Sequence, residues 1–222
     1  MRSLRPVLLC LAPALAGLAP AGRAALLYDR AAILQGEWWR LWTGHWMHFS
    51  ISHLAWNAVV LVGAGAWLER LQPGCLLRFA AVAAPLLSVS FLVGAPDMQA
   101  YGGLSGLVTG VVVLLALMQL RGCSAGRGWW LGVLALVVFK LAIDATGSAP
   151  LFASFGPRAV RSSAFAHVMG AIIATGFFLS KSLCAPGRAG RVGAKLEATQ
   201  PWKGAKLEDE FADHHSWANN GR

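Results

Sequence analysis

The stretch "YGGLSGLVTGVVVLLALMQL", residues 101–120, decides what kind of chain this is. From Leu104 onward it is an unbroken apolar run, at the short end of the roughly 17–25 residues that cross a bilayer. Ser105 stands between glycines at its head. Two readings of that serine compete. It is a nucleophile, or it is a small residue that, with the Gly106–Gly110 pair, lets two helices approach closely. The rest of the sequence weighs between them.

Of the 222 residues, 56% are hydrophobic and only 13% are Asp, Glu, Lys or Arg. That is about half the charged share of a soluble domain. With a mean hydropathy of +0.55, the composition names lipid as the main solvent. The net charge of +9 comes from basic residues standing singly or in pairs between apolar runs, as they do in membrane loops. A basic stripe with interleaved aromatics is absent, so no nucleic-acid partner is expected.

Six apolar runs, 5–22, 51–71, 75–95, 104–120, 129–147 and 164–184, predict an all-α membrane protein. The expected architecture is a bundle of six transmembrane helices over residues 1–184. Arg2 and Arg5 before the first run resemble a signal peptide, but the run is read as a retained helix. A cytoplasmic N-terminus puts more Lys and Arg inside (Arg70, Arg78, Arg121 and Arg127 among them) than outside (Arg23, Arg30, Arg40, Arg158 and Arg161), as the positive-inside rule requires. Cys10, Cys75, Cys123 and Cys184 then fall on or near the reducing side, with no disulfide framework and no CxxC spacing. Residues 185–222 are polar and carry "GAKLE" twice, at 193–197 and 204–208. They are expected to be a disordered cytoplasmic tail, with His214 and His215 a solvated pair.

Polar side chains inside a membrane are expensive, so each calls for a reason. They gather in four places: His45, His48, His53 and Asn57; Ser105; Lys140 with Asp144; and His167. In the six-span topology the second, fourth and sixth runs enter from the same side. His53, Asn57, Ser105 and His167 then lie within about two helical turns of one depth, at ~1.5 Å rise per residue. His53 and Asn57, spaced i, i+4, share a helical face. Ser105 adjoins the unpaired N–H groups of a helix start, which favour a developing anion. A serine, a histidine to take its proton and several donors around one point are the parts for acyl transfer. Ser105 would attack, His167 would act as general base and then acid, and His53, Asn57 and the Ser105 N–H would hold the oxyanion. No carboxylate is read in that layer, so a Ser-His dyad is expected, without cofactor or metal.

The motifs resemble the rhomboid family of intramembrane serine proteases. "GGLSG" (102–106) is similar to its Gly-x-Ser-Gly. "AHVMG" (166–170) is similar to its Ala-His-x-x-Gly, "HFSISHLAWN" (48–57) to its His-x4-His-x3-Asn region, and "WWRLWT" (38–43) to its Trp-Arg loop. The resemblance covers residues 1–184 and implies Ser105 as nucleophile, His167 as base, and His53 and Asn57 as oxyanion helpers. It departs at Thr109, where many members carry a tyrosine beneath the histidine; either the imidazole is held another way or the pocket is shaped differently. The compact form and the "GEWWRLWTGHWMHFSISHLAWN" opening are most similar to the rhombosortase branch. That branch implies membrane-anchored substrates with a C-terminal Gly-Gly, an apolar helix and a basic end. It also implies a bacterial inner membrane, both termini cytoplasmic and a site facing the periplasm.

Plainer readings stand beside these. Gly103, Gly106, Gly110 and Gly170 serve as packing around the site, the last two drawing Ser105 toward His167. His45, His48 and His53 would suit zinc, but no carboxylate or thiolate accompanies them. Lys140 and Asp144, one turn apart, form either a local ion pair or a contact to the substrate's new C-terminal end or a lipid headgroup. The tryptophans Trp38, Trp39, Trp42 and Trp46 read as an interfacial belt. The alternative function is a rhomboid-like pseudoprotease that binds membrane proteins without cleaving them. A transporter is disfavoured because no internal repeat is found.

Overall fold

The computed structural model describes residues 3–16, 20–122, 126–146 and 164–180. Its helices, in chain order, are α1 (Leu4–Ala16), α2 (Pro20–Leu26), the short α3 (Arg30–Leu34) and α4 (Arg40–Thr43), α5 (Ile51–Leu71), α6 (Cys75–Gly94), α7 (Ser105–Gly122), α8 (Arg127–Ala145) and α9 (Ala164–Leu179). Two-residue strands β1 (Tyr28–Asp29) and β2 (Ala100–Tyr101) pair antiparallel, with Tyr28 opposite Tyr101. Among the described residues, α5, α6, α7 and α8 are long and apolar enough to cross a membrane, while α1 and α9 are apolar but shorter.

Four expected runs, 51–71, 75–95, 104–120 and 129–147, coincide with α5 to α8 to within two residues at either end. Of the first run, 5–22, helix is described over Leu4–Ala16 and again from Pro20; residues 17–19 lie outside the described residues. The tail 185–222 with His214 and His215, together with Cys123, Cys184, Arg158 and Arg161, lies outside the described residues.

Local chemistry sets the helix ends near the site. The Ser50 hydroxyl caps α5 by accepting from the His53 N–H at 3.2 Å, the usual role of serine at this position. At the α5–α6 turn, the buried Glu69 accepts from the Gly74 and Leu76 N–H groups at 2.8 and 2.7 Å. Gly74 takes a left-handed φ of +77° there, which glycine tolerates best.

The inward stripe of α5 runs through His53, Asn57, Leu61, Gly65 and Leu68, the three-to-four spacing of a single helical face. α7 is the central helix. Half of its apolar window is buried, whereas none of the corresponding window of α8 is. The serine-bearing helix is therefore enclosed by protein and the Lys140-bearing helix lies at the periphery.

The segment between α2 and α5 is tied down by its polar and aromatic side chains. Buried Arg40 pairs with Glu37 at 2.6 Å and donates to the Ala24 and Leu27 carbonyls at 3.0 and 2.7 Å. The indole N–H groups of Trp39, Trp42 and Trp46 donate to the carbonyls of Ala25, Ala81 and Cys10. The rings of Trp38, Trp39 and Trp42 remain exposed, as expected of an interfacial belt.

Candidate active site

Ser105 is the first residue of α7 and is half-buried. The first helical hydrogen bond runs from the Val108 N–H to the Leu104 carbonyl at 2.8 Å. The N–H groups of Ser105, Gly106 and Leu107 therefore belong to the helix start, where no i−4 partner exists. His167 lies in the first turn of α9 and is buried.

Small residues bring the two helices together one position away from each of these side chains. A Cβ on Gly106 would stand 2.9 Å from the Ala166 carbonyl oxygen, and one on Gly110 would stand 2.9 Å from that of Gly170. A Cβ on Gly170 would collide with the Gly106 carbonyl. Backbone thus meets backbone along this seam, the close approach that small-residue pairs permit. Gly106, Gly110 and Gly170 are the glycines that line it.

Gly103 works differently. Its φ of +142° is a glycine conformation, and a Cβ there would lie 2.6 Å from His53 Cε1. The loop before Ser105 thereby lies against the His53 ring. His53 is buried and stacks edge-on with His48, centroids 5.0 Å apart. It also lies within electrostatic reach of His167. Asn57 is buried one turn below on the same face. The loop before Ser105 thus lies against His53, and the helix starts bearing Ser105 and His167 meet at the Gly106–Ala166 seam, with Asn57 on the His53 face of α5.

A profile of the Rhomboid domain matches residues 35–185. The chain belongs to the rhomboid family. The match takes in both α7 and α9, hence Ser105 and His167. Rhomboid protease GluP from Bacillus subtilis (strain 168) is 30% identical over 169 residues, which are 76% of this chain and 30% of that protein. The chain spans under a third of that relative's length.

Two residues of this rhomboid enter the site without having been assigned a role in it. His48 donates from Nδ1 to the Trp46 carbonyl at 2.9 Å. Its Nε2 then accepts from the Asn57 amide at 3.2 Å and faces the Leu104 N–H at 3.4 Å. It joins the segment before α5 to the loop that presents Ser105. Tyr101 donates its hydroxyl to the Gly103 carbonyl at 2.9 Å. Burial pushes its pKa up to about 12, while the Ser105 side chain and Gly106 backbone pull the other way. The sequence signal for His48 was its place in the histidine motif; for Tyr101 it was adjacency to the glycine-serine loop.

One expectation is corrected. The histidine was expected to stand without a carboxylate, yet Asp144 Oδ2 lies 2.6 Å from His167 Nδ1. Lys140 Nζ lies 2.5 Å from the same oxygen and 3.3 Å from His167 Nδ1. The reason is topological. Asp144 is the penultimate residue of α8, so an antiparallel neighbour of α7 delivers it to the level where α7 begins. Thr109, at the position of the missing tyrosine, turns its hydroxyl onto the Ser105 carbonyl at 2.9 Å.

His45 is fully buried. Its Nε2 lies 2.8 Å from the Ala84 carbonyl and 3.0 Å from the Ser88 hydroxyl. Burial holds the pKa of both His45 and His48 down at about 4, against the pull of the Ala84 and Trp46 carbonyls. Both are therefore neutral at ordinary pH.

Proposed function

We propose that this rhomboid is an intramembrane serine endopeptidase of six transmembrane helices, acting near the outer membrane–water interface. The observation that carries the reading is the seam at Gly106, Ala166 and Gly170, which brings together the helix starts that bear Ser105 and His167. Ser105 Oγ adds to the scissile carbonyl carbon and its proton passes to His167 Nε2. The carbonyl oxygen becomes an oxyanion within reach of the α7 N-terminal N–H groups and the polar face of α5 formed by His53 and Asn57. Collapse expels the amine, which takes the proton from His167. Water then hydrolyses the acyl-serine by the reverse proton path, releasing the new carboxylate and restoring the hydroxyl.

The substrates are membrane-anchored proteins. A helical peptide bond is shielded by its own hydrogen bonds, so the cut needs a segment that unwinds easily, and glycine supplies that. Together with the rhombosortase-like opening at 36–57, this favours proteins ending in a Gly-Gly, an apolar helix and a basic end. The site then faces the periplasm of a bacterial inner membrane, with both chain termini in the cytoplasm.

Co-expression with a reporter carrying such a tail tests the reading. The expected result is a shortened, released reporter with the wild type and an intact one with Ser105→Ala. A tail with Gly-Gly replaced by Leu-Leu is expected to resist. Equal cleavage of both tails would remove the sorting specificity while keeping the protease. An uncleaved reporter, with no reaction toward a fluorophosphonate, would favour the binding-only alternative.

A further inference from the structure

We propose that Asp144 is a positioning residue that fixes the ring of His167, and that Lys140 holds this carboxylate in place and keeps the imidazole available as a base. The inference rests on the reading of Ser105 and His167 as nucleophile and base.

The geometry assigns the protons. At 2.6 Å, His167 Nδ1 and Asp144 Oδ2 share a hydrogen bond, and an ionised carboxylate only accepts. Nδ1 therefore carries the proton. Lys140 donates to the same oxygen at 2.5 Å. Its 3.3 Å approach to Nδ1 is then two donors meeting at one acceptor. The tautomer with Nδ1–H leaves Nε2 as the lone-pair nitrogen, the one a serine proton needs. Without Asp144 either tautomer is open, and the Nδ1 hydrogen bond that orients the ring is gone. The Thr109 hydroxyl, bonded to Ser105's carbonyl, supplies no aromatic platform for it.

The charges divide the labour. Asp144 and His167 side chains are only 9% and 3% exposed, and Lys140 is 37% exposed. A lone carboxylate this enclosed on an apolar helix is expensive. Lys140, one turn earlier on α8, neutralises it while its stem reaches outward. A lone carboxylate would also favour imidazolium at rest, and a protonated ring cannot accept the serine proton. The Lys140 charge opposes that. The titratable groups around His167 are thus Asp144 and Lys140 from α8 and His53 from α5. During catalysis the proton moves from Ser105 Oγ to Nε2 and on to the leaving amine, while Asp144 stays ionised throughout.

The test is the rate of Ser105 modification by a fluorophosphonate, and of reporter cleavage, across pH in the full chain in membranes. Asp144→Asn is expected to lower the rate by up to about 10⁴-fold, the loss when the orienting carboxylate of a serine triad is removed. The acid limb of its profile should move to lower pH, and Asp144→Glu should restore part of the rate. Lys140→Met is expected to move that limb to higher pH. A merely structural ion pair would weaken thermal unfolding equally in both variants and leave the pH limb where it is; that result overturns the proposal. If Asp144→Asn does not accumulate, the Lys140→Met limb decides: moved upward it supports the proposal, unmoved it overturns it. Ser105→Ala separates the levels. Undiminished modification in that variant sinks the underlying site, whereas dead Ser105→Ala beside unchanged Asp144→Asn sinks only the role of Asp144.

Discussion

Two sets of buried histidines lie within one molecule and are held by different means. His45 and His48 are bonded to backbone carbonyls of Ala84 and Trp46. The second nitrogen of His48 is also taken, by the Asn57 amide and the Leu104 N–H. Every useful atom of that ring is committed to the scaffold. His167 is bonded through Nδ1 to the carboxylate of Asp144. A carbonyl partner merely fixes a neutral imidazole. A carboxylate partner fixes the ring and also favours the positive charge that appears when it takes a proton. Burial alone does not mark a catalytic histidine; the type of partner does.

The largest effect that could break this contrast is at His167 itself. His167→Ala is expected to lower cleavage and fluorophosphonate modification by about 10³-fold or more, as loss of a general base does in serine hydrolases. His45→Gln, which can keep a bond to Ala84, should leave the rate within a few-fold. Comparable losses in both variants would erase the distinction.

The seam comes next. Gly170→Val places a branched side chain against the Gly106 carbonyl. Overpacking of this kind costs about 1–3 kcal/mol or more. The expected outcome is a lowered thermal midpoint in detergent together with lost cleavage, because Ser105 and His167 are spread apart. A variant that unfolds normally and cleaves normally would show that the seam does not position the pair.

His48→Ala sharpens the contrast at lower cost. It leaves the Asn57 amide and the Leu104 N–H without their acceptor, a penalty of about 1–3 kcal/mol for buried groups. The expected phenotype is a stability loss of that size with a modest drop in cleavage, read by thermal unfolding and reporter release in parallel.

The smallest effect is on pH. His45 and His48 are held near 4, below the ordinary 6.5. As pH falls below 6.5, the unfolded chain takes up protons that the folded chain refuses. Stability is therefore full above that range and is lost progressively toward pH 4. Thermal midpoints measured from pH 7 to 4.5 should fall, and the slope should flatten in His45→Gln.

Much of this was legible in the residues. The spans of α5 to α8 followed from apolar length alone, because lipid forces backbone polar groups to pair within each helix. Counting depth along three runs that enter from the same side led to the expectation that Ser105, His167, His53 and Asn57 share one layer. The same counting on the run that returns from the other side would have delivered Asp144 to that level. Its spacing to Lys140 points to a local ion pair or a substrate or lipid contact, and neither reading directs it to His167. Tyr101 and His48 were harder, since they act through a short strand pair and a non-helical segment that carry no periodic signal.

The central claim is that Ser105 is the nucleophile and His167 Nε2 receives its proton. Fluorophosphonate treatment of the intact protein in membranes, followed by mass mapping of the modified peptide, addresses this most directly. The expected result is one adduct on Ser105, absent in Ser105→Ala and strongly slowed in His167→Ala. An adduct forming at the wild-type rate in Ser105→Ala, or on another residue, would contradict it.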